Sequence, residues 1–347
     1  MAKRRIKTKS HRQYEAGRIL GQFLLIVFVL VAALAAYVGR YLTTPFPLDN
    51  APRAFVLERG TTMRMAANQL AADGLVTEPW LFSLVARFNG AAPRIKAGSY
   101  ELNEAVTPLQ LLAKLTDGDV TSATLTLVEG WTWRQVKAAL ARHPDLRHDT
   151  QHLGDAELLT KLGVSGSSVE GLLFPDTYHF AKQSSDIQVL KRAQEAMQKQ
   201  LAAAWEARAA NLPLSQPYEA LILASIIEKE TGAAKDRAMI ASVFHNRLRI
   251  GMRLQTDPTV IYGLGEAFDG NLRKLHLETD SPYNSYTRSG LPPTPIAMPG
   301  MASLLAATNP AQSKALYFVA KGDGSSYFST SLAEHNQAVR RYLLGAK

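Results

Sequence analysis

Residues 221–232, Leu-Ile-Leu-Ala-Ser-Ile-Ile-Glu-Lys-Glu-Thr-Gly, read as a helix that carries a carboxylate on its apolar side. At about 100° per residue, Ile222, Leu223, Ile226 and Ile227 define one apolar face. Glu230 follows Ile226 at i+4 and Ile227 at i+3, so it falls near the middle of that face. Glu228 projects to the opposite side, toward water. Burial disfavours a charged carboxyl and raises its pKa, and the negative end of the helix dipole pushes the same way. Glu230 thus has the setting of a general acid that holds its proton near neutral pH. The plainer alternative is a solvated Glu at a helix end, because Glu is rarely buried unless paired. The apolar spacing and the sequence downstream weigh against it.

Downstream, residues 236–250 repeat the helical spacing through Met239, Ile240, Val243, Phe244 and Leu248, with His245, Asn246, Arg247 and Arg249 on the other face. His245 has no second His at ligand spacing, and His276 and His335 are isolated, so metal chemistry is not expected. The Gly-x-Ser-x-Gly elbow of a serine hydrolase is absent. Asp257-Pro258 reads as a helix start, with Asp capping and Pro at the first turn. Gln255 just before it is an uncharged donor and acceptor suited to a sugar hydroxyl or N-acetyl group. Residues 281–286 (Ser-Pro-Tyr-Asn-Ser-Tyr) and 290–295 (Gly-Leu-Pro-Pro-Thr-Pro) are stiff loops that present Asn284 and Tyr286. Residues 301–308 form one more helix. Strands at 315–320 and 326–330 flank the hairpin signal Lys321-Gly322-Asp323-Gly324, and an amphipathic helix closes the chain over 331–344.

A hydrolysing glycosidase needs two carboxylates about 5–10 Å apart. Asp257 is assigned to capping, while Glu278 and Asp280 lie in no apolar pattern. A single buried Glu suffices if it protonates the leaving oxygen and then takes a proton from a hydroxyl of the same sugar, closing an internal anhydro ring. On the residues alone, lytic and hydrolytic cleavage both stay open.

Toward the N-terminus, residues 129–215 read as connecting helices that contribute to the cleft. Glu129-Gly130-Trp131-Thr132 and the run from Glu170 to Tyr178, which contains Asp176, pair acids with glycine and aromatics, as saccharide-contacting loops do. A turn with core aromatics is the plainer reading of either. Residues 54–128 alternate as β-α-α-β, then a helix and a strand. Thr62 caps the first helix, and Trp80, Leu81, Leu84 and Val85 lie on one side of the second. A proline-spaced linker occupies 40–53.

The chain has 347 residues, no Cys and a net charge of +9. Residues 1–18 hold seven Lys or Arg against Glu15, or +6, which leaves +3 for the rest. A nucleic-acid partner therefore loses its main support. Directly after this basic tail, residues 19–39 are nearly all apolar and long enough to span a bilayer. The positive-inside rule places the tail in the cytoplasm and everything after Arg40 across the membrane. The fold class expected is α+β: one transmembrane helix, a small α/β module over 54–128, and a larger mixed α/β catalytic domain over 216–347.

These runs carry a resemblance. Residues 224–231 (Ala-Ser-Ile-Ile-Glu-Lys-Glu-Thr), 242–248 (Ser-Val-Phe-His-Asn-Arg-Leu), 254–263 (Leu-Gln-Thr-Asp-Pro-Thr-Val-Ile-Tyr-Gly), Tyr283-Asn284-Ser285-Tyr286 and Gly290-Leu291-Pro292-Pro293 together resemble the endolytic murein transglycosylase (MltG, YceG-like) family. Weaker similarity extends through Lys96-Ala97-Gly98-Ser99-Tyr100, Val128-Glu129-Gly130 and residues 174–178. The resemblance implies an inner-membrane enzyme that cleaves the MurNAc–GlcNAc β-1,4 bond within nascent glycan strands, leaves 1,6-anhydro-MurNAc ends and terminates strand elongation. It implies Glu230 as the acid/base and a LysM-like module near residues 54–102. Substrate contacts are expected from Gln255, Asn284, Tyr286, Glu228, Asp176 and Tyr178. Where family members carry Thr-Ala or similar after Glu-Lys-Glu, this chain has Thr231-Gly232-Ala233, which leaves the acid unaltered. His245 stands where others often carry an apolar residue and is given no role. No cofactor is expected. The partners expected are peptidoglycan and the inner membrane, with cell-wall synthases left open. The alternative is a non-catalytic, membrane-anchored glycan-binding scaffold.

Overall fold

The computed structural model describes residues 4–46, 53–58, 60–118, 122–230 and 234–345; the readings placed on residues 47–52, 59 and 231–233 lie outside them. The chain divides into two compact units, Met1–Ser122 and Ala123–Lys347.

The first unit opens with α1 (Arg4–Thr43), so the backbone ahead of the apolar run is already helical from Arg4. Its window Gly21–Thr43 is long and apolar enough to cross a membrane, and none of it is buried. β1 (Arg53–Leu57), α2 (Met63–Ala72), α3 (Pro79–Phe88), β2 (Gly98–Leu102) and α4 (Pro108–Asp117) follow. β1 and β2 pair antiparallel, with Phe55 opposite Tyr100 and their rings stacked at 5.4 Å. Thr62 accepts from the Met65 amide at the start of α2, and Thr107 and Gln110 form a reciprocal capping box at α4. Leu70, Phe82, Tyr100 and Leu111 fill the core between these elements.

Two details differ from the sequence reading. α3 turns Leu81, Phe82 and Ala86 inward, while Trp80 and Leu84 face solvent. Both faces of this helix are rich in apolar residues, so spacing alone does not say which is buried. The linker expected over 40–53 also begins later: α1 continues to Thr43, and Phe46 is buried in the core with its amide on the Val106 carbonyl at 2.9 Å.

The second unit contains β3 (Ser122–Thr126), α5 (Trp133–Arg142), β4 (Leu146–Arg147), α6 (Asp155–Leu162), β5 (Thr177–Ala181), β6 (Ser184–Ser185) and α7 (Asp186–Glu206). Then come α8 (Pro217–Glu230), α9 (Arg237–Arg249), α10 (Asp257–Leu264), α11 (Lys274–Glu278), α12 (Met301–Thr308), β7 (Tyr317–Ala320), β8 (Ser326–Ser329) and α13 (Leu332–Tyr342). β3 pairs with β5, so the strand read as the end of the small module finds its partner in the second unit. β4 and β6 pair parallel, and β7 and β8 pair antiparallel across the hairpin.

α8 is the element around which this unit packs. Ala220 to Ile227 are all buried, so the helix has no wet face until its last turn. α7, α9, α10 and α12 pack around it, as expected of a helix that is apolar all round. The single polar side chain in that run, Ser225, donates to the Ile222 carbonyl at 2.7 Å and accepts from the Ile296 amide at 3.0 Å.

The polar face expected on α9 is also inside, except for Arg249, which is exposed. His245 and Arg247 are 1% and 7% exposed. His245 Nε2 meets the Ala307 carbonyl at 2.8 Å, Asn246 donates to the Ser313 and Ala315 carbonyls, and Arg247 Nε donates to the Leu316 carbonyl at 2.7 Å. These side chains satisfy the carbonyls of the segment that leads into β7.

Candidate active site

The last turn of α8 ends the buried run with three charged residues whose surroundings differ. Lys229 is exposed and donates to the Gly130 carbonyl at 3.3 Å. Glu228 was expected to face water, yet it is half-buried, and its Oε2 accepts from the Gly300 amide at 3.0 Å, at the start of α12. Gly300 is tight for a second reason: a Cβ there would run into the Glu129 carboxyl. Glu129-Gly130-Trp131 therefore lies against the end of α8. Gly130 donates to the Met298 carbonyl at 2.8 Å, and Met298 donates to the Trp131 carbonyl at 2.7 Å.

Glu230 is half-buried, and its Oε1 accepts from the Thr256 hydroxyl. Its pKa is raised above the ordinary 4.5, first by burial and then by the nearby Asp257 charge; the Thr256 hydroxyl and the Arg247 charge pull the other way. The balance lies on the raising side.

Thr256 owes its position to a tightly held loop. Gln255 sits at φ 48°, a left-handed conformation that costs a non-glycine residue about 1–2 kcal/mol. The surroundings enforce it. The Gln255 amide donates to the Ser285 carbonyl at 3.1 Å, and the Thr256 amide donates to Ser285 Oγ at 3.0 Å. Arg247 donates to the Leu254 carbonyl at 2.7 Å and reaches Gln255 Oε1 at 3.4 Å. Strain held this way belongs to sites that need a fixed geometry. Thr256 is the residue before α10, where its hydroxyl would ordinarily cap the helix; here it makes no cap bond and turns to Glu230 instead.

Asp257 does not cap α10 either. It is the first residue of the helix, exposed, and accepts from the Tyr286 hydroxyl at 2.6 Å. It is therefore the second carboxylate whose charge acts on Glu230. Glu278 and Asp280, the candidates read from sequence, are engaged elsewhere. Glu278 pairs with Lys274 at 3.5 Å, and Asp280 binds Arg288 and Thr287, which hold its pKa down at about 2.

The remaining expected contacts divide. Gln255 is exposed and Tyr286 half-buried, both on the loops around Glu230. Asn284 is 1% exposed: its amide donates to the carbonyls of His276, Leu277 and Thr279, and its oxygen accepts from the Tyr286 amide at 2.9 Å. With its donors used this way, Asn284 shapes the loop that carries Tyr286 and has no surface left for a sugar. Tyr178 lies in β5 and in the core beside α5, with its hydroxyl on the Phe174 carbonyl at 2.7 Å. Asp176 is exposed and accepts from the adjacent Thr177 amide. No contact brings Asp176 or Tyr178 to Glu230 among the described residues, and Tyr178 fits the plainer reading of core aromatics.

Sequence reasoning missed Thr256, Asp257 as a second acid, Ser285 and Arg247. All lie inside the motif runs, but their roles depend on which loop faces which. Glu170, read as the acid that opens a saccharide-contacting loop or a turn, is 2% exposed, accepts from the Trp133 amide at 2.9 Å and hydrogen-bonds the Tyr262 hydroxyl. Burial raises its pKa to about 7. Among the described residues, no group of three or more His, Asp or Glu side chains is placed to hold a metal ion.

The chain is 32% identical over 332 residues to the endolytic murein transglycosylase of Bacillus subtilis, covering 90% of this chain and 91% of that one. It is 28% identical over 364 residues to the endolytic murein transglycosylase of Streptococcus pneumoniae, covering 92% of this chain and 64% of that longer protein. Among solved structures, a yceG-like protein from Listeria monocytogenes superposes with a TM-score of 0.52 at 33% identity, covering 82% of this chain and 98% of that one. The YceG-like family profile matches residues 55–341, which include every residue of the site. The chain belongs to the YceG-like family.

Proposed function

We propose that this chain is a lytic transglycosylase of peptidoglycan, acting within glycan strands, with Glu230 as its single acid and base. The observation that carries the reading is the setting of Glu230, half-buried so that its pKa is raised, yet open enough to pass a proton on. In the first half of the reaction Glu230 protonates the oxygen linking MurNAc C1 to GlcNAc C4, and the C1–O bond breaks. In the second half the MurNAc 6-hydroxyl forms a bond to C1 and returns its proton to Glu230. One C–O bond replaces another, no water enters, and a 1,6-anhydro end results. Asp257, held by Tyr286, keeps Glu230 protonated for the first half, and the Thr256 hydroxyl steadies its carboxylate after the proton has left. Gln255 and Tyr286 are the side chains placed to meet the sugar.

The relatives named above support the substrate class. α1 supports a single-pass anchor, with the basic tail in the cytoplasm and the residues after the anchor across the inner membrane. The β-α-α-β order of the first unit supports a LysM-like module that holds the strand. Cleavage inside nascent strands would end their elongation. A glycan-binding scaffold would have no use for Glu230, since burying an acid costs stability and a binding surface gains nothing from it.

The test is full-length protein in detergent on uncrosslinked glycan strands, with product masses read by mass spectrometry. The reading predicts products of mixed internal length, each new MurNAc end lighter by one water than a reducing end. Reducing MurNAc ends would make water the attacker and Asp257 its activator.

A further inference from the structure

The end of α1 makes direct contacts with the small module that follows it. The apolar window Gly21–Thr43 contains 23 residues. At 1.5 Å per residue it is about 34 Å long, against a hydrocarbon core of about 30 Å. Its last turn is fastened to the small module: the Tyr41 hydroxyl donates to the Glu78 carbonyl at 3.3 Å, and the Tyr41 ring packs edge-on against Phe46, which is buried in the module core. Phe46 is tied in turn to the Val106 carbonyl. Glu78 and Val106 stand at the starts of α3 and α4, so the end of the anchor holds the beginnings of both helices.

Apolar side chains are exposed at those two helix starts. Trp80 is 59% exposed, Leu84, one turn on, is 41% exposed, and Leu109 in the first turn of α4 is 42% exposed. Phe88 continues the α3 stripe at 85%. Consecutive Cα atoms are 3.8 Å apart, so Trp80 lies within about 8 Å of Glu78 and Leu109 within about 11 Å of Val106. The headgroup layer on each side of a bilayer is about 5–8 Å deep. A module pinned at Glu78 and Val106 therefore holds these side chains close to the end of α1 that leaves the bilayer. Trp is the residue favoured there, since its ring is apolar and its N–H stays wet. Here the Trp80 N–H donates to the Glu78 carboxyl at 2.9 Å, which leaves the ring face free.

We propose that the outer side of α3 and the first turn of α4, through Trp80, Leu84 and Leu109, rest in the headgroup layer of the bilayer that α1 crosses. The seat adds to α1 the partial insertion typical of interfacial helices and fixes the tilt of the module on the membrane. This inference rests on reading α1 as a membrane anchor.

The chain has no Cys, so a single substitution gives a unique labelling site. Leu84→Cys and Leu109→Cys carry a nitroxide in full-length protein reconstituted into phosphatidylethanolamine–phosphatidylglycerol vesicles. Leu30→Cys in the anchor and Leu332→Cys on α13 serve as references within the same protein. Collision with a water-soluble nickel chelate and with oxygen gives each label its depth. The proposal predicts nickel access at 84 and 109 several-fold below that at 332, with oxygen access raised. Equal nickel access at 84, 109 and 332, with the label at 30 deep in the bilayer, overturns the seat and leaves the anchor standing. A water-exposed label at 30 overturns the anchor and the seat together. Spin–spin broadening at 84 and 109 without lipid depth overturns the seat in favour of a second copy. Shielding that develops only on adding glycan strands overturns it in favour of the substrate.

Discussion

Glu170 and Glu230 are two acids that burial pushes above the ordinary carboxyl range, and they lie in differently built parts of the same unit. Glu170 sits at 2% exposure between the Trp133 amide and the Tyr262 hydroxyl, with protein on every side. Tyr262 also hydrogen-bonds Thr294, which shares a 2.8 Å hydrogen bond with Tyr283, so the acid is one member of a buried polar chain. Glu230 sits at a helix end, half-buried, with one hydroxyl donor and a second carboxylate beside it. A raised pKa alone therefore does not mark a catalytic acid. Access does, together with a partner that can follow the proton.

The comparison can be broken in several ways. The largest expected effect is on turnover: Glu230→Gln lowers strand cleavage by about 10²–10⁴-fold, as loss of a general acid does, with folding intact by circular dichroism. Glu170→Gln leaves cleavage nearly unchanged, and a loss as large as that of Glu230→Gln would erase the distinction. Its effect is on stability. The folded state holds the Glu170 proton up to about pH 7, whereas the unfolded chain releases it near 4.5, so stability falls as pH rises across that window. The drop is worth about 3 kcal/mol at 1.36 kcal/mol per pKa unit, and urea unfolding of Glu170→Gln should show this slope flattened. His245 works in the opposite direction. Burial lowers its pKa to about 4, so the stability it contributes is present above pH 6.5 and is lost as pH falls toward 4. His245→Gln should remove that acid-side slope in the same experiment.

The smallest effects sharpen the picture of Glu230 itself. Thr256→Val removes a hydrogen bond that favours the carboxylate, so Glu230 keeps its proton to higher pH and the alkaline limb of the pH–rate profile moves up. Asp257→Asn removes the neighbouring charge and moves the same limb down. Shifts of the same sign in both variants would contradict the assigned electrostatics.

Much of this was legible from the chain. The α8 motif picks out Glu230 because a charged residue that continues an apolar spacing has few reasons to be there, and the cap at Thr62 follows from local chemistry. What stayed hidden depended on pairing at long range. Asp257 looks like a cap because Asp-Pro is a strong local signal, yet Thr256 occupies the cap position and its hydroxyl is drawn to an acid 26 residues upstream in sequence. Asn284 looks like a sugar contact because it is polar in a stiff loop; three carbonyls that meet only in the folded chain take its amide. On α3, spacing offers two apolar faces and no rule for choosing between them.

The most direct test of the account is to titrate Glu230 itself. The ¹³C carboxyl signals of the full-length protein labelled at glutamate are followed with pH, and Glu230 and Glu170 are assigned by the signals missing from Glu230→Gln and Glu170→Gln. The account predicts that both titrate above 4.5 and that Glu230 moves further up in Thr256→Val while Glu170 does not. A Glu230 carboxyl that titrates at or below 4.5 would mean that it is ionised at neutral pH and has no proton to give.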